Sequence, residues 1–151
     1  MKIYMDVCCY NRPMDDQTQQ RVRFESEMIL RILERCECGE WDLVGSTAVN
    51  YEINKNPDEE KRKSAYAFYN YVKTIYNVND FSGAQVRANE FQKLVVGPID
   101  SLHLAMAEFA DAEILLSTDD KFVKSSKRTD SKVRVVNPLI WIMEVTDNEQ
   151  N

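Results

Sequence analysis

Short apolar runs alternating with longer stretches of helical spacing constrain this chain more than any other feature of its sequence. The runs are Lys2 to Val7, Trp41 to Ser46, Glu113 to Ser117 and Lys132 to Val136. Runs this short, apolar without strict alternation, read as strands covered on both faces. The intervening stretches read as helices. From about Thr18 to Cys38, the residues Val22, Ile29, Ile32, Leu33 and Cys36 fall on one helical face, and Gly39 provides a stop. Thr47 to Ile53 is helical and ends at Asn56-Pro57, because the residue before a proline is pushed out of the helical region. Asp58-Glu59-Glu60 puts acids in the first turn of a further helix, whose stripe is Ala65, Phe68, Tyr69, Val72 and Ile75. Ser82 is placed to cap a helix through about Val95, and Gly97-Pro98 separates it from another over Ile99 to Phe109. Pro138 opens a final short helix through about Val145. Strands joined through helices make right-handed crossovers. The expected fold is therefore α/β in three layers, α/β/α, with a central, mostly parallel sheet of four or five strands. Cys8 to Pro13, at the end of the first strand, leads into a loop that carries Asp15-Asp16.

With 151 residues the chain has the length of one domain, expected over residues 1–146, with a polar tail over 147–151. Only 4 Gly and 4 Pro argue against a disordered or turn-dense all-β chain. No apolar run approaches the roughly 20 residues that span a bilayer, and Asp6 breaks the N-terminal run too early for a signal peptide. A cytoplasmic protein without a membrane partner is expected. The cysteines, Cys8-Cys9 and Cys36-x-Cys38, lack the spacing of zinc or redox motifs and read as reduced thiols, the first two buried. A net charge of −6 disfavours indiscriminate binding of nucleic acid. The basic residues Lys121, Lys124, Lys127, Arg128, Lys132 and Arg134 nevertheless cluster against a single internal acid, Asp130. That run reads either as a local basic patch or as a solvated face.

Sites in such sheets form at the carboxyl ends of strands. Asp6 closes the first strand, Glu52 follows the second inside its predicted helix, Asp100 lies in the first turn after Gly97-Pro98, and Asp119-Asp120 follow the strand ending at Ser117. Any one of these acids would serve as a helix cap. Four together are harder to read as caps, since carboxylates about 5 Å apart repel by roughly 3 kcal/mol at an effective dielectric near 20. Hard oxygen donors suit magnesium or manganese. No phosphate-binding glycine loop, dinucleotide fingerprint or nucleophile elbow offers rival chemistry.

Four blocks carry a resemblance to a known family. They are Ile3-Tyr4-Met5-Asp6, Ser46-Thr47-Ala48-Val49-Asn50-Tyr51-Glu52, Pro98-Ile99-Asp100-Ser101-Leu102-His103-Leu104-Ala105, and Leu115-Leu116-Ser117-Thr118-Asp119-Asp120-Lys121-Phe122. In this order, with acids 46, 48 and 19 residues apart, the chain resembles the PIN-domain ribonucleases, including the VapC-type toxins of toxin–antitoxin pairs. The resemblance implies a PIN-like fold and Mg2+- or Mn2+-dependent hydrolysis of RNA phosphodiesters that leaves a 5′-phosphate. Its acidic set would be Asp6, Glu52, Asp100 and Asp119, with Asp6, Asp100 and Asp119 holding metal. Matching Phe122 to the family's phenylalanine selects Asp119, and a one-residue shift would select Asp120. The same match places Ser117 near the metal. Arg12, Lys121 and Lys124 are candidate substrate contacts. An antitoxin and a homodimer are implied partners. Cys8 departs from the family pattern, standing where many relatives carry an asparagine after the first aspartate. His103, three residues beyond Asp100, shares its helical face but reads first as a packing residue, and Arg12 reads equally as a loop anchor. The alternative function is a degenerate PIN module that binds RNA or protein without cutting. A phosphatase on a similar sheet is disfavoured, because Asp6-Val7-Cys8 lacks an Asp-x-Asp pair.

Overall fold

The structure, a computed structural model, describes residues 1–151. Five short strands form one sheet: β1 (Lys2–Met5), β2 (Asp42–Ser46), β3 (Thr74–Tyr76), β4 (Ile114–Leu116) and β5 (Arg134–Val136). Their spatial order is β3-β2-β1-β4-β5, and every neighbouring pair is parallel. The register sets Ile3 beside Leu43 and Ile114, and Tyr4 beside Val44 and Leu115. Ile3, Tyr4, Met5, Leu115 and Leu116 are all fully buried, as central parallel strands must be when helices cover both faces.

Eight helices connect and cover the strands: α1 (Val7–Asn11), α2 (Gln20–Glu37), α3 (Thr47–Lys55), α4 (Glu59–Tyr69), α5 (Ala84–Lys93), α6 (Pro98–Phe109), α7 (Asp120–Ser126) and α8 (Pro138–Gln150). The α2 stripe buries Val22, Ile29, Ile32 and Leu33, and the helix packs on α8. Each such side chain contributes about 1.5–3 kcal/mol relative to exposure. Gly39 ends the α2 segment with φ of 82°, a left-handed conformation that costs glycine little. Pro98 occupies the first turn of α6, where a missing N–H is harmless, and Ala105 and Ala107 are fully buried in the same helix. Alanines this small let packed elements approach closely, and α6 lies along α5.

The architecture agrees with the expected α/β class, with five strands, and differs from it locally. Where the end of the first strand was expected to lead into a loop, the chain turns directly into α1, because Asp6 accepts the Val7 N–H at 2.8 Å and caps it. A five-residue helix is too short to show a periodic signal. The stripe expected to continue α4 to Ile75 stops at Tyr69, and Thr74–Tyr76 becomes the edge strand β3 instead. The Lys73 N–H donates to the Leu43 carbonyl at 2.8 Å, so an unpaired edge of β2 captures a β-branched stretch that helical spacing also fits. The N-cap of α5 is Gly83 rather than Ser82. Helix α8 continues past Asp147 to Gln150, its last turns tied to α2 by an ion pair between Glu149 and Arg35. All four cysteines are free thiols, Cys9 buried but Cys8 only half-buried, contrary to the expectation that both are buried.

The chain leaves β1 for β2 and β3 on one side, then crosses back to β4 and β5 on the other. This reversal between β1 and β4 is the topological switch point, where open parallel sheets form their crevice. The Asp6 N–H donates to the Leu116 carbonyl at 2.9 Å and joins the two strand ends there. At the neighbouring end of β2, a Cβ on Gly45 would lie 2.7 Å from the Tyr69 hydroxyl, so only glycine admits that ring. Tyr69 in turn donates to the Ser46 carbonyl at 3.0 Å or to Asn50 Oδ1 at 2.8 Å, which ties α4 to the start of α3.

Candidate metal centre

Asp6 is the innermost of the acids, only 4% exposed at the switch point. Its Oδ1 accepts the Val7 N–H, and its Oδ2 accepts the Ser117 hydroxyl at 2.9 Å and the Cys8 thiol at 3.3 Å. Ser117 Oγ also accepts the Asp119 N–H at 3.1 Å, so one hydroxyl links the first and last acids of the set. Cys8 Sγ accepts the Thr118 N–H at 3.3 Å. The thiol therefore bridges the turn after β4 to the turn after β1, although it offers no amide.

Glu52 reaches the same end of the sheet from α3, and Asp100 and His103 come from one face of α6. Donor atoms of Asp6, Glu52 and His103 all lie within 4.8 Å of one another. His103 is fully buried, its Nε2 hydrogen-bonded to Glu52 Oε1 and 3.9 Å from Asp6 Oδ1. Burial opposes charging of this ring, but the hydrogen bond to Glu52 and the charges of Asp6 and Asp100 outweigh it and raise its pKa. Burial, then the negative charges of Asp6 and Asp119, push the Asp100 carboxyl up from 3.8 to about 7, with Glu52 adding to the rise and His103 opposing it. Asp100 Oδ2 lies 3.5 Å from the position of a Cβ on Gly97, an ordinary contact distance, so the carboxylate packs over the backbone that precedes α6.

Asp119 caps α7, its Oδ1 accepting the Lys121 N–H at 2.9 Å. Together Asp100 and Asp119 line a cleft of about 400 Å³ whose other lining includes Lys121, Lys124, Arg128 and Val95. Val95 is 75% exposed with φ of 65°, a rare conformation for a β-branched residue. Acidic and basic side chains thus line the same cleft. Lys127, Lys132 and Arg134 line a separate depression beside β5, so the basic run of the sequence divides between two surfaces.

The fold thus gathers Asp6, Glu52, Asp100, Asp119 and Ser117 at one end of the sheet, with Lys121 and Lys124 along the cleft. It sets Asp120 and Arg12 elsewhere. Asp120 is exposed and held by Arg21. Arg12 pairs with Asp15 at 3.0 Å and with the buried Glu25 at 3.3 Å. His103, read first as a packing residue, is fully buried and also bonded to Glu52, and Tyr4, its other partner, was not singled out in the sequence. The available signal was the three-residue interval from Asp100, which puts both side chains on one face of a helix.

Of these groups, Asp6, Glu52 and His103 bring donor atoms close enough together to share one divalent cation, and Asp100 and Asp119 stand outside that trio. The four carboxylates supply hard oxygens, and Asp100 resists the full charge that its neighbours impose. A cation among them reverses that resistance, since an opposite charge favours the ionised form.

Among solved structures, the chain is similar to the crystal structure of FitAcB from Neisseria gonorrhoeae, with a TM-score of 0.59 and 12% identity over 90% of this chain and 97% of that one. No family model matches the sequence, and no curated protein matches it. At this identity the likeness is one of fold, and that fold is PIN-like.

Proposed function

We propose that this chain is a metal-dependent endoribonuclease and the toxin of a toxin–antitoxin pair. The carrying observation is the cleft that Asp100 and Asp119 line together with Lys121, Lys124 and Arg128. A phosphodiester needs both surfaces: cations to hold its charge, and a cluster of carboxylates to gather a metal ion beside it.

In this reading Asp6, Asp100 and Asp119 hold Mg2+ or Mn2+. The ion supplies charge neutralisation at phosphorus and a water acidic enough to react near neutral pH. The protein's own groups set the geometry. Ser117 holds Asp6 Oδ2 in place, the α7 backbone holds Asp119, and Asp100 lines the cleft beside it. Glu52 orients water, and Lys121 and Lys124 align the phosphate chain. Water adds to phosphorus, the 3′-oxygen leaves with a proton, and the phosphate stays on the 5′ side. Arg12, fastened by Asp15 and Glu25, shapes the loop rather than the substrate path. The antitoxin and a homodimer belong to the same proposal. No helix is long and apolar enough to cross a membrane.

The test is incubation of the purified protein and its Asp100→Asn variant with a mixed RNA pool, with manganese or with chelator. Cleavage by the wild type alone, and only with metal, is the expected result. Cys8 favours a second reading, a PIN module that binds without cutting, because a thiol already engaged by Thr118 and Asp6 replaces an amide. Metal-independent RNA binding with no cleavage would select it.

A further inference from the structure

One file of buried polar groups runs from the sheet into the acidic cluster. Ser46 Oγ lies 2.7 Å from the Tyr4 hydroxyl, and that hydroxyl lies 2.7 Å from His103 Nδ1. The far nitrogen of the ring, Nε2, is hydrogen-bonded to Glu52 Oε1. Ser46, Tyr4 and His103 are each 0% exposed, whereas the Glu52 side chain retains 21% exposure. Resting on the nuclease reading above, we propose that His103 is a positioning residue, which holds Glu52 by one oxygen and is itself locked to β1 and β2 through Tyr4 and Ser46.

The physical case is one of freedom removed. A glutamate reaching in from a helix has several rotatable bonds, and fixing them costs entropy each time the carboxylate must act. A ring engaged at both nitrogens has a single orientation and transmits it to its partner. A histidine needed only for packing would be satisfied by Tyr4 and a backbone carbonyl. This one is instead bonded to an acid of the site 51 residues away in sequence. It also shares a helical face with Asp100, so α6 carries one acid of the cluster and the holder of another. Glu52 keeps its second oxygen for water, and His103 stays behind the carboxylates.

Four variants and one spectroscopic signature test this. His103→Leu should lower kcat by about 10- to 100-fold, the usual scale for losing a group that orients an active-site ligand. Its KM for RNA and its manganese-induced rise in Tm should stay within about twofold of wild type, because uniform binding is untouched. His103→Gln, whose amide can donate to Glu52, should recover part of kcat, and Tyr4→Phe should fall between wild type and His103→Leu. His103 is the chain's single histidine, so its imidazole nitrogens are unambiguous in 15N NMR. In metal-free protein Nε2 should carry a proton whose resonance moves on Glu52→Gln. Wild-type kcat in His103→Leu, compared at equal folded fraction, overturns the proposal. So does an unprotonated Nε2, or manganese stabilisation lost together with kcat, which would make His103 a metal ligand. A wild type that cuts no RNA overturns the nuclease reading, and the NMR arm then still decides whether His103 holds Glu52.

Discussion

Arg21 reaches across from α2 and takes both carboxylate oxygens of Asp120, at 2.8 and 2.7 Å, while the adjacent Asp119 lines the cleft beside Asp100. Two neighbouring aspartates therefore have opposite surroundings. The Arg21 hydrogen bonds hold the Asp120 carboxyl below its usual range, whereas Asp119 adds, after burial and Asp6, to what raises the Asp100 carboxyl to about 7.

This contrast ranks two substitutions. Asp119→Asn should abolish metal-dependent cleavage, a loss on the order of a hundredfold or more, the scale of removing one electrostatic group from an active site. Asparagine caps helices nearly as well as aspartate, so α7 should survive the change. Asp120→Asn should keep most of the activity. Single-turnover cleavage by both variants checks the order, and the reverse ranking would move the site by one residue.

Asp100→Asn isolates the strain within the cluster. The folded chain binds this proton more tightly than the unfolded one, since the carboxyl titrates near 7 in place of 3.8. The stability it contributes is complete below the unfolded value and is lost as pH rises through about 7. Metal-free wild type should therefore weaken relative to the variant across that window. At about pH 8 the variant should melt no lower, and the difference should close in acid. Manganese should reverse the order, with about 2.7 kcal/mol gained by wild type at a hundredfold excess over Kd and much less by the variant. Melting curves at three pH values, with and without manganese, give the comparison.

The division of the basic run predicts unequal roles for similar side chains. Lys124→Ala with Arg128→Ala should weaken RNA binding and flatten its salt dependence, by about 0.7 in log–log slope for each phosphate of a single strand that is no longer neutralised. Lys127→Ala with Lys132→Ala alters the depression beside β5 and should leave the slope unchanged. Filter binding across a salt series distinguishes them. Equal effects would mean that the whole run meets RNA.

Glu25 is buried on α2 and held by Arg12 at 3.3 Å, by Arg21 at 3.2 Å and by the Asn137 amide at 2.5 Å. Glu25→Ala leaves the buried Asn137 amide unpaired, while the partly exposed Arg12 and Arg21 turn to water, and should cost about 1–3 kcal/mol. The check is chemical denaturation. A change well under 1 kcal/mol would mean that Asn137 finds water as well.

Much of the fold was already legible in local pattern. The β1 and β4 runs are apolar throughout because both faces are covered, and the α2 stripe repeats at helical spacing. Pro98 and Gly39 mark helix ends by their backbone preferences alone. Asp6, Glu52, Asp100 and Asp119 could be picked out because each falls at a strand end or in the early turns of a helix. Tertiary structure decided the rest. The helical stripe running to Ile75 is interrupted because the edge of β2 pairs with Thr74–Tyr76, a partner that no local periodicity reveals. Asp119 and Asp120 differ by one residue in sequence, and only Arg21, 99 residues away, separates their environments. Tyr4 and His103 lie equally far apart, and their hydrogen bond exists because β1 and α6 pack together. Periodicity and capping act over a few residues of backbone, whereas a buried hydrogen bond depends on which elements become neighbours in space.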